Sequence, residues 1–160
     1  MKPRLSLKGR GLQILAQREH SRSELRRKLL AHAKAAAAEA ASSVEALPAV
    51  DQVEAVLDWL QEHRYLSEER FVESRVHARA SRFGNLRIRQ ELAQHGVVLS
   101  ADAAQQLKDS EAARAREVWV RKFGHPAADS IGRARQVRFL AGRGFSSEVI
   151  RQVVRGMDED

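Results

Sequence analysis

The chain lacks cysteine and has few of the residues that interrupt helices. Among its 160 residues are only three prolines, at positions 3, 48 and 126. Without cysteine there can be no disulfide, no Cys-based zinc site and no thiol nucleophile. No apolar run approaches the ~18 residues that a membrane helix needs. The basic residues 1–4 are not followed by the apolar segment of a signal peptide. A cytoplasmic protein is therefore expected.

Acidic residues are the second shortage. The chain has 21 Asp and Glu against 28 Lys and Arg, which gives a formal charge of +7 and a pI of about 10.5. This excess favours a polyanionic or acidic partner, although a solvated basic surface would give the same count. A chain of this length can bury a core, either as one domain or as a few small modules in series.

Helix-forming residues dominate, and the sequence predicts an almost entirely α-helical chain. The first helix is predicted over 7–18, with Leu12, Leu15 and Ala16 on its apolar side. Capping residues predict further helix starts, and these are Ser21, Asp51, Ser67, Ser100, Ser110 and Asp129. The alanine-rich residues 33–41 should lengthen the second helix, which then frays at 42–43. An apolar stripe in the helix after Asp129 is predicted to comprise Ile131, Ala134, Val137 and Leu140.

A weak internal repeat relates three helices. When these helices are superposed, Leu29, Leu92 and Leu140 fall in register, 63 and then 48 positions apart. The first spacing exceeds the second by 15 positions (63 − 48), and this excess matches the alanine-rich insert at about 33–49. We therefore expect three degenerate three-helix modules at about 5–64, 65–109 and 110–156. Modules of this size stack on their neighbours, which predicts an elongated, curved array.

Three stretches resemble the motifs of the RecX family of regulatory proteins. The first is LAQREHSRSEL, which starts at Leu15 and is followed by Lys28-Leu29. The second is Val56-Leu57 and Leu60, and then YLSE and RF, which start at Tyr65 and Arg70. The third comprises Arg79, Gly84, Ile88 and Glu91-Leu92. The family usually has glycine at the position of Arg64 and two aspartates at the position of Ser67-Glu68, and the alanine-rich insert is not part of its pattern.

The resemblance implies a non-enzymatic modulator of the recombinase RecA. Similar proteins lie in the groove of the RecA–single-stranded DNA filament, bridge its protomers and oppose its growth. RecA's ATPase, strand-exchange and coprotease activities are thereby lowered. We expect a monomer without cofactors, with single-stranded DNA as a possible direct contact.

Arginine clusters are the candidate interface. Arg75, Arg79 and Arg82 are spaced by four and three residues and therefore share a helix face, and Arg87 and Arg89 follow. The second cluster comprises Arg133, Arg135 and Arg138, with Arg114, Arg121, Lys122 and Arg143 as possible additions. The first module has a secondary cluster, Arg26, Arg27 and Lys28. Arginine suits phosphates and carboxylates equally, whereas a charged helix face is most often simply solvated. The repeat and the resemblance together favour the interface.

Two other functions stay open. The turns at Gly96 and Gly144 resemble helix-turn-helix spacing and suggest a duplex-DNA binder. Against this, the helices that follow, at 101–107 and 148–155, are expected to lack an Asn, Gln and Arg cluster for base readout. A protein-only helical scaffold is the third possibility. The six histidines are never spaced by three or four residues, and no P-loop or nucleophile elbow is present, so neither a metal site nor an enzyme is expected.

Overall fold

The computed structural model describes residues 3–40 and 47–156, which form helices and no strand. The prediction of an all-α chain is confirmed. In chain order the helices are α1 (Leu7–Gln17), α2 (Arg22–Glu39), α3 (Ala49–Glu62), α4 (Glu68–Ala80), α5 (Asn85–Gln94), α6 (Ala101–Lys122), α7 (Ser130–Gly142) and α8 (Ser147–Arg155). The predicted fraying at 42–43 and the acidic residues 158–160 lie outside the described part of the chain.

The chain divides into two compact units, Met1–Phe71 and Val72–Asp160, and the division falls inside α4. In unit 1, helices α1, α2 and α3 all contact one another. Their core comprises Ile14, Leu25, Leu29, Ala33, Val53, Leu57, Leu60 and Leu66. In unit 2, α6, α7 and α8 enclose a core of Ala115, Val118, Trp119, Leu140, Phe145, Ile150, Val153 and Val154. Each fully buried leucine contributes about 1.5–3 kcal/mol, so these faces hold the helices together.

Side-chain caps start most helices where the sequence predicts them. The Ser21 hydroxyl accepts a hydrogen bond from the Glu24 amide at 3.1 Å, and Ser67, Ser100 and Asp129 cap their helices in the same way. The prediction for α3 is wrong, because that helix starts at Ala49 and has no side-chain cap. Its N-cap is Pro48, whose fixed φ suits a helix start.

One helix replaces the two that were predicted between Ser100 and Gly124. Helix α6 runs without interruption over 22 residues. Ser110 does not cap a new helix, because its hydroxyl instead donates to the Leu107 carbonyl at 3.2 Å inside α6. The predicted module boundary at 109–110 therefore lies within a continuous helix, and the module boundaries stay a prediction.

The apolar faces of α1 and α7 also differ from the predictions. Ala16 is exposed, whereas Gly11 and Ile14 are buried. On α7, Ile131 is 72% exposed, and Ala134 and Val137 are exposed as well. The buried residues of α7 are Leu140 and the polar Gln136. Gln136 accepts from the Trp119 indole at 3.1 Å and donates to the His125 carbonyl at 3.2 Å, so its burial leaves no polar group unsatisfied.

Two turns of unit 2 pack backbone against backbone. The Gly84 amide donates to the Arg143 carbonyl at 2.8 Å, and the Leu86 amide donates to the Gly144 carbonyl at 3.0 Å. A β-carbon on Gly84 would lie 2.3 Å from the Phe145 nitrogen. Only glycine fits at this approach. The α4–α5 turn and the α7–α8 turn are therefore in direct contact, and we call this contact the glycine crossing.

Candidate basic interface

The arginine face of α4 divides between two environments. Arg75 and Arg79 donate to the Glu91 carboxylate on α5, at 3.3 Å and 2.9 Å. Glu91 therefore neutralises part of the stripe and ties α4 to α5. Arg82, beyond the end of α4, is exposed and belongs to a different cluster.

That cluster forms a pocket of about 260 Å³ in unit 2. Its basic side chains are those of Arg82, Arg121, Lys122 and Arg143, and Val118 and Phe139 also line it. We call it the basic pocket. Its basic residues come from the α4–α5 turn, the end of α6 and the end of α7. Sequence reasoning placed Arg121, Lys122 and Arg143 in one cluster and Arg82 in another, and it did not bring the two together.

Two phenylalanines support the basic groups. The Arg143 guanidinium lies 5.5 Å from the Phe83 ring centre and 5.2 Å from that of Phe139. The Lys122 ammonium lies 5.5 Å from the Phe139 ring centre, and the Arg87 guanidinium lies 4.0 Å from that of Phe83. Cations over ring faces are attracted by the aromatic quadrupole. The rings therefore hold the cations in place without neutralising them. Sequence reasoning missed both phenylalanines.

The charge around the basic pocket is one-sided. None of the described carboxylates lines it, and the Arg121 guanidinium donates to the Ser81 carbonyl at 2.5 Å. Residues 74–90 contain five arginines and no acidic residue, and Val72–Asp160 has 16 Lys and Arg against 11 Asp and Glu. Like charges that converge repel one another, and a bound phosphate or carboxylate would relieve this repulsion.

The remaining predicted arginines of unit 2 are exposed. Arg89 lies on α5, and Arg133, Arg135 and Arg138 lie on α7. These four have no ion pair with any described residue. Arg135 and Arg138 are one turn apart and share a face, whereas Arg133 points to another side of α7.

The secondary cluster of unit 1 is largely occupied by internal contacts. Arg26 donates to Glu54 at 2.5 Å, and Arg22 donates to Glu54 at 2.8 Å, so α2 is tied to α3. The Arg26 hydrogen bond, and then that of Arg22, lowers the pKa of the Glu54 carboxyl. The Lys28 ammonium lies 3.0 Å from the buried His20 ring, and Arg27 alone of the three is free in the described contacts.

Glu111 and Arg114, one turn apart on α6, form a polar centre behind the glycine crossing. The buried Glu111 carboxylate accepts from the Asn85 amide at 3.1 Å and from the Ser146 amide and hydroxyl, each at 3.2 Å. Arg114 donates to the Phe83 carbonyl at 2.9 Å and to the Asn85 side chain. Burial lowers the pKa of Arg114, although an arginine keeps its charge at neutral pH. Arg114 is therefore structural, and no signal in the sequence marks Glu111.

Helix α8 corrects one expectation about the helix-turn-helix alternative. It was expected to lack residues for base readout, yet Arg151, Gln152 and Arg155 are exposed on it. The composition of α8 therefore does not argue against that alternative. Among the described residues there is no group of three His, Asp or Glu that could hold a metal ion. None of the described helices is long and apolar enough to span a membrane.

The fold and the basic pocket define the class of protein, which is an all-α helical-repeat protein with a basic surface. Family models described as the second and third three-helix domains of RecX match residues 67–98 and 109–154. Regulatory protein RecX of Leptothrix cholodnii is 51% identical over an alignment of 161 positions, which covers 99% of this chain and 94% of that protein. The corresponding protein of Ralstonia nicotianae is 49% identical over 156 residues, which cover 96% and 89%.

The chain therefore belongs to the RecX family, and the resemblance found in the sequence is confirmed. The crystal structure of RecX from Lactobacillus salivarius has the same fold, with a TM-score of 0.69 over 95% of this chain and 94% of that one. The two are only 14% identical, so this likeness concerns the fold alone. The relatives are named regulatory proteins, which fits a protein that acts by binding.

Proposed function

We propose that this protein is a negative modulator of RecA that acts in the cytoplasm and has no chemistry of its own. It binds in the groove of the RecA–single-stranded DNA filament, limits filament growth, and lowers ATPase, strand-exchange and coprotease activities. Family membership over nearly the full chain supports the regulatory role.

The observation that carries the proposal is the convergence of Arg82, Arg121, Lys122 and Arg143 on one pocket, which none of the carboxylates within 3–40 and 47–156 lines. A filament of protein and DNA presents phosphates and acidic side chains, and either group fits such a pocket. Complementary charge speeds association and selects the register of binding. Arg87, Arg89, Arg135 and Arg138 are further contacts in this proposal, and single-stranded DNA is a possible direct ligand.

The test is RecA's ATPase on single-stranded DNA, measured against the concentration of this protein. Wild-type protein should inhibit, and Arg82→Glu combined with Arg143→Glu should raise the half-inhibitory concentration at least tenfold, since loss of two interfacial charges costs ~2 kcal/mol or more. Arg79 is left unchanged, because a new carboxylate there would face Glu91 and disturb the α4–α5 contact.

The control is Lys108→Glu combined with Arg116→Glu. Both residues are exposed in unit 2, outside the basic pocket, and the change in net charge is identical. The control should inhibit like the wild type. Equal loss in both variants would reduce the effect to net charge. No inhibition by wild-type protein at stoichiometric excess would refute the proposed function.

A second candidate function is a helix-turn-helix protein that binds duplex DNA. It is favoured by three exposed residues of α8 that could contact bases, Arg151, Gln152 and Arg155. Tight binding to one duplex sequence, with a large ratio over non-specific DNA at fixed salt, would favour it. The protein-only scaffold predicts neither this binding nor RecA inhibition that depends on the basic pocket.

A further inference from the structure

We propose that Glu111 locks the second and third three-helix domains into one body and thereby positions the basic groups of the interface. This inference rests on the proposed function only for the role of the basic pocket. The coupling itself is independent of RecA.

The first step is the place of Glu111 between the two domains. It lies on α6, inside the match to the third domain at 109–154, and is 4% exposed. Its Oε1 accepts from the amide of Asn85, the first residue of α5, which belongs to the second domain at 67–98. The same oxygen accepts from the Ser146 amide, and Oε2 accepts from the Ser146 hydroxyl. Since Ser146 is the N-cap of α8, one carboxylate serves two helix N-termini, where negative charge is favoured.

The second step is the contact that Glu111 supports. Asn85 and Ser146, which Glu111 binds, lie at the glycine crossing, where two backbone hydrogen bonds join the α4–α5 turn to the α7–α8 turn. The two turns lie so close together that a β-carbon on Gly144 would lie 2.5 Å from the Arg87 β-carbon. Because Glu111 binds one residue of each turn, it fixes the separation at which these two backbone bonds form.

The third step leads from the crossing to the basic groups. Arg82, Phe83 and Arg87 lie on or beside the α4–α5 turn, and Arg143 precedes Gly144 in the other turn. The Arg143 guanidinium reaches the Phe83 ring across the crossing, at 5.5 Å. Any movement of one turn against the other would separate Arg143 from Phe83 and Arg82. Glu111 is therefore a positioning residue, which touches no partner itself.

Three replacements of Glu111 separate its hydrogen-bonding role from the effect of removing a buried side chain. In Glu111→Gln, the new amide oxygen can accept from both backbone amides, and the new amide NH₂ can donate to the Ser146 hydroxyl, because a hydroxyl both donates and accepts. In Glu111→Ala, all three donors lose their acceptor. Glu111→Asp keeps the charge but is one methylene shorter, so it should serve only one of the two helices.

The first measurement is hydrogen exchange of the full-length protein, without RecA. In Glu111→Ala, amides at the starts of α5 and α8 should exchange at least tenfold faster than in the wild type, together and to a similar extent. Glu111→Gln should stay within about threefold. Faster exchange at only one of the two helices in Glu111→Ala would refute the coupling.

The second measurement is inhibition of RecA's ATPase, with Val153→Ala as the control. Val153 is a buried core residue of α8 and is not one of the hydrogen-bond partners of Glu111. Its truncation should destabilise unit 2. Well below both melting temperatures, Val153→Ala should inhibit like the wild type, whereas Glu111→Ala should need at least tenfold more protein. Glu111→Gln should restore inhibition.

The possible results separate the two proposals. Equal loss of inhibition in Val153→Ala and Glu111→Ala would show an effect of stability alone and overturn the positioning role. Absence of inhibition by the wild type would refute the proposed function, while the exchange data would still decide the coupling. If Glu111→Ala does not fold, Glu111→Asp takes its place, and unchanged exchange at both helices in that variant would overturn the inference.

Discussion

Gly84→Ala is the most direct test of the glycine crossing. Gly84 has φ −81° and ψ 172°, a conformation that alanine adopts without strain. Any loss of stability must therefore come from the added methyl group. That group would lie 2.3 Å from the Phe145 nitrogen and 2.4 Å from the Gly144 carbonyl oxygen, and both are backbone atoms that cannot turn aside like a side chain.

The magnitude follows from what must separate. Moving the turns apart breaks the two bonds from Gly84 and Leu86 to the facing turn, each worth about 1 kcal/mol net. Strain from the overpacked methyl group adds about 1–3 kcal/mol. We expect Gly84→Ala to lower the free energy of unfolding of unit 2 by about 3–5 kcal/mol.

The assay is urea unfolding followed by tryptophan fluorescence in a Trp59→Phe background. The remaining tryptophan, Trp119, is 1% exposed in the core of unit 2 and reports on that unit. With a urea m-value of about 2 kcal/mol per molar, the midpoint should fall by about 2 M. The matched control is Gly142→Ala, where the added β-carbon meets nothing within 4 Å and should stabilise α7 by up to ~1 kcal/mol. Equal midpoints for the two variants would refute the crossing.

Two further predictions concern unit 1. Arg64 is exposed and has φ 60°, a left-handed conformation that is strained for arginine. Arg64→Gly should relieve this strain and raise the free energy of unfolding by about 0.5–1 kcal/mol. A urea midpoint below that of the wild type would contradict this. Burial lowers the pKa of His20, with the charges of Arg18 and Lys28 acting in the same direction, so the unfolded chain takes up its proton first. Stability should therefore fall as the pH drops below about 6.5, and His20→Gln should flatten this slope in urea unfolding followed through Trp59; an unchanged slope would refute the assignment.

Local signals made much of the helical architecture predictable. Ser21, Ser67 and Asp129 cap helices as expected. Such signals act within one or two helical turns, so the sequence carries them directly. The continuity of α6 was missed for a related reason. A serine is a cap in one context and a helical residue in another, and Lys108-Asp109 contains nothing that stops a helix.

Tertiary pairing was the part that could not be read from the sequence. Arg75, Arg79 and Arg82 look equivalent on a helix, yet only the first two meet Glu91. The burial of Gln136 in place of Ile131 depends on the indole of Trp119, 17 residues away. A helical stripe shows which residues share a face, but the neighbouring helix decides which face is buried.

In the part of the chain that the structure describes, the same type of turn follows three helices, α3, α5 and α7. The carbonyls of Leu60, Leu92 and Leu140 each accept from the amide five residues later, and the residue before that amide is left-handed in every case. These are Arg64, Gly96 and Gly144. Each of these turns is a C-terminal helix cap, formed by residues close together in the sequence. The Gly144 turn also meets a second turn, at Gly84. At Gly144 the helix cap therefore also joins two turns. This contact brings Arg143 close to Arg82, and the basic pocket lies at this turn.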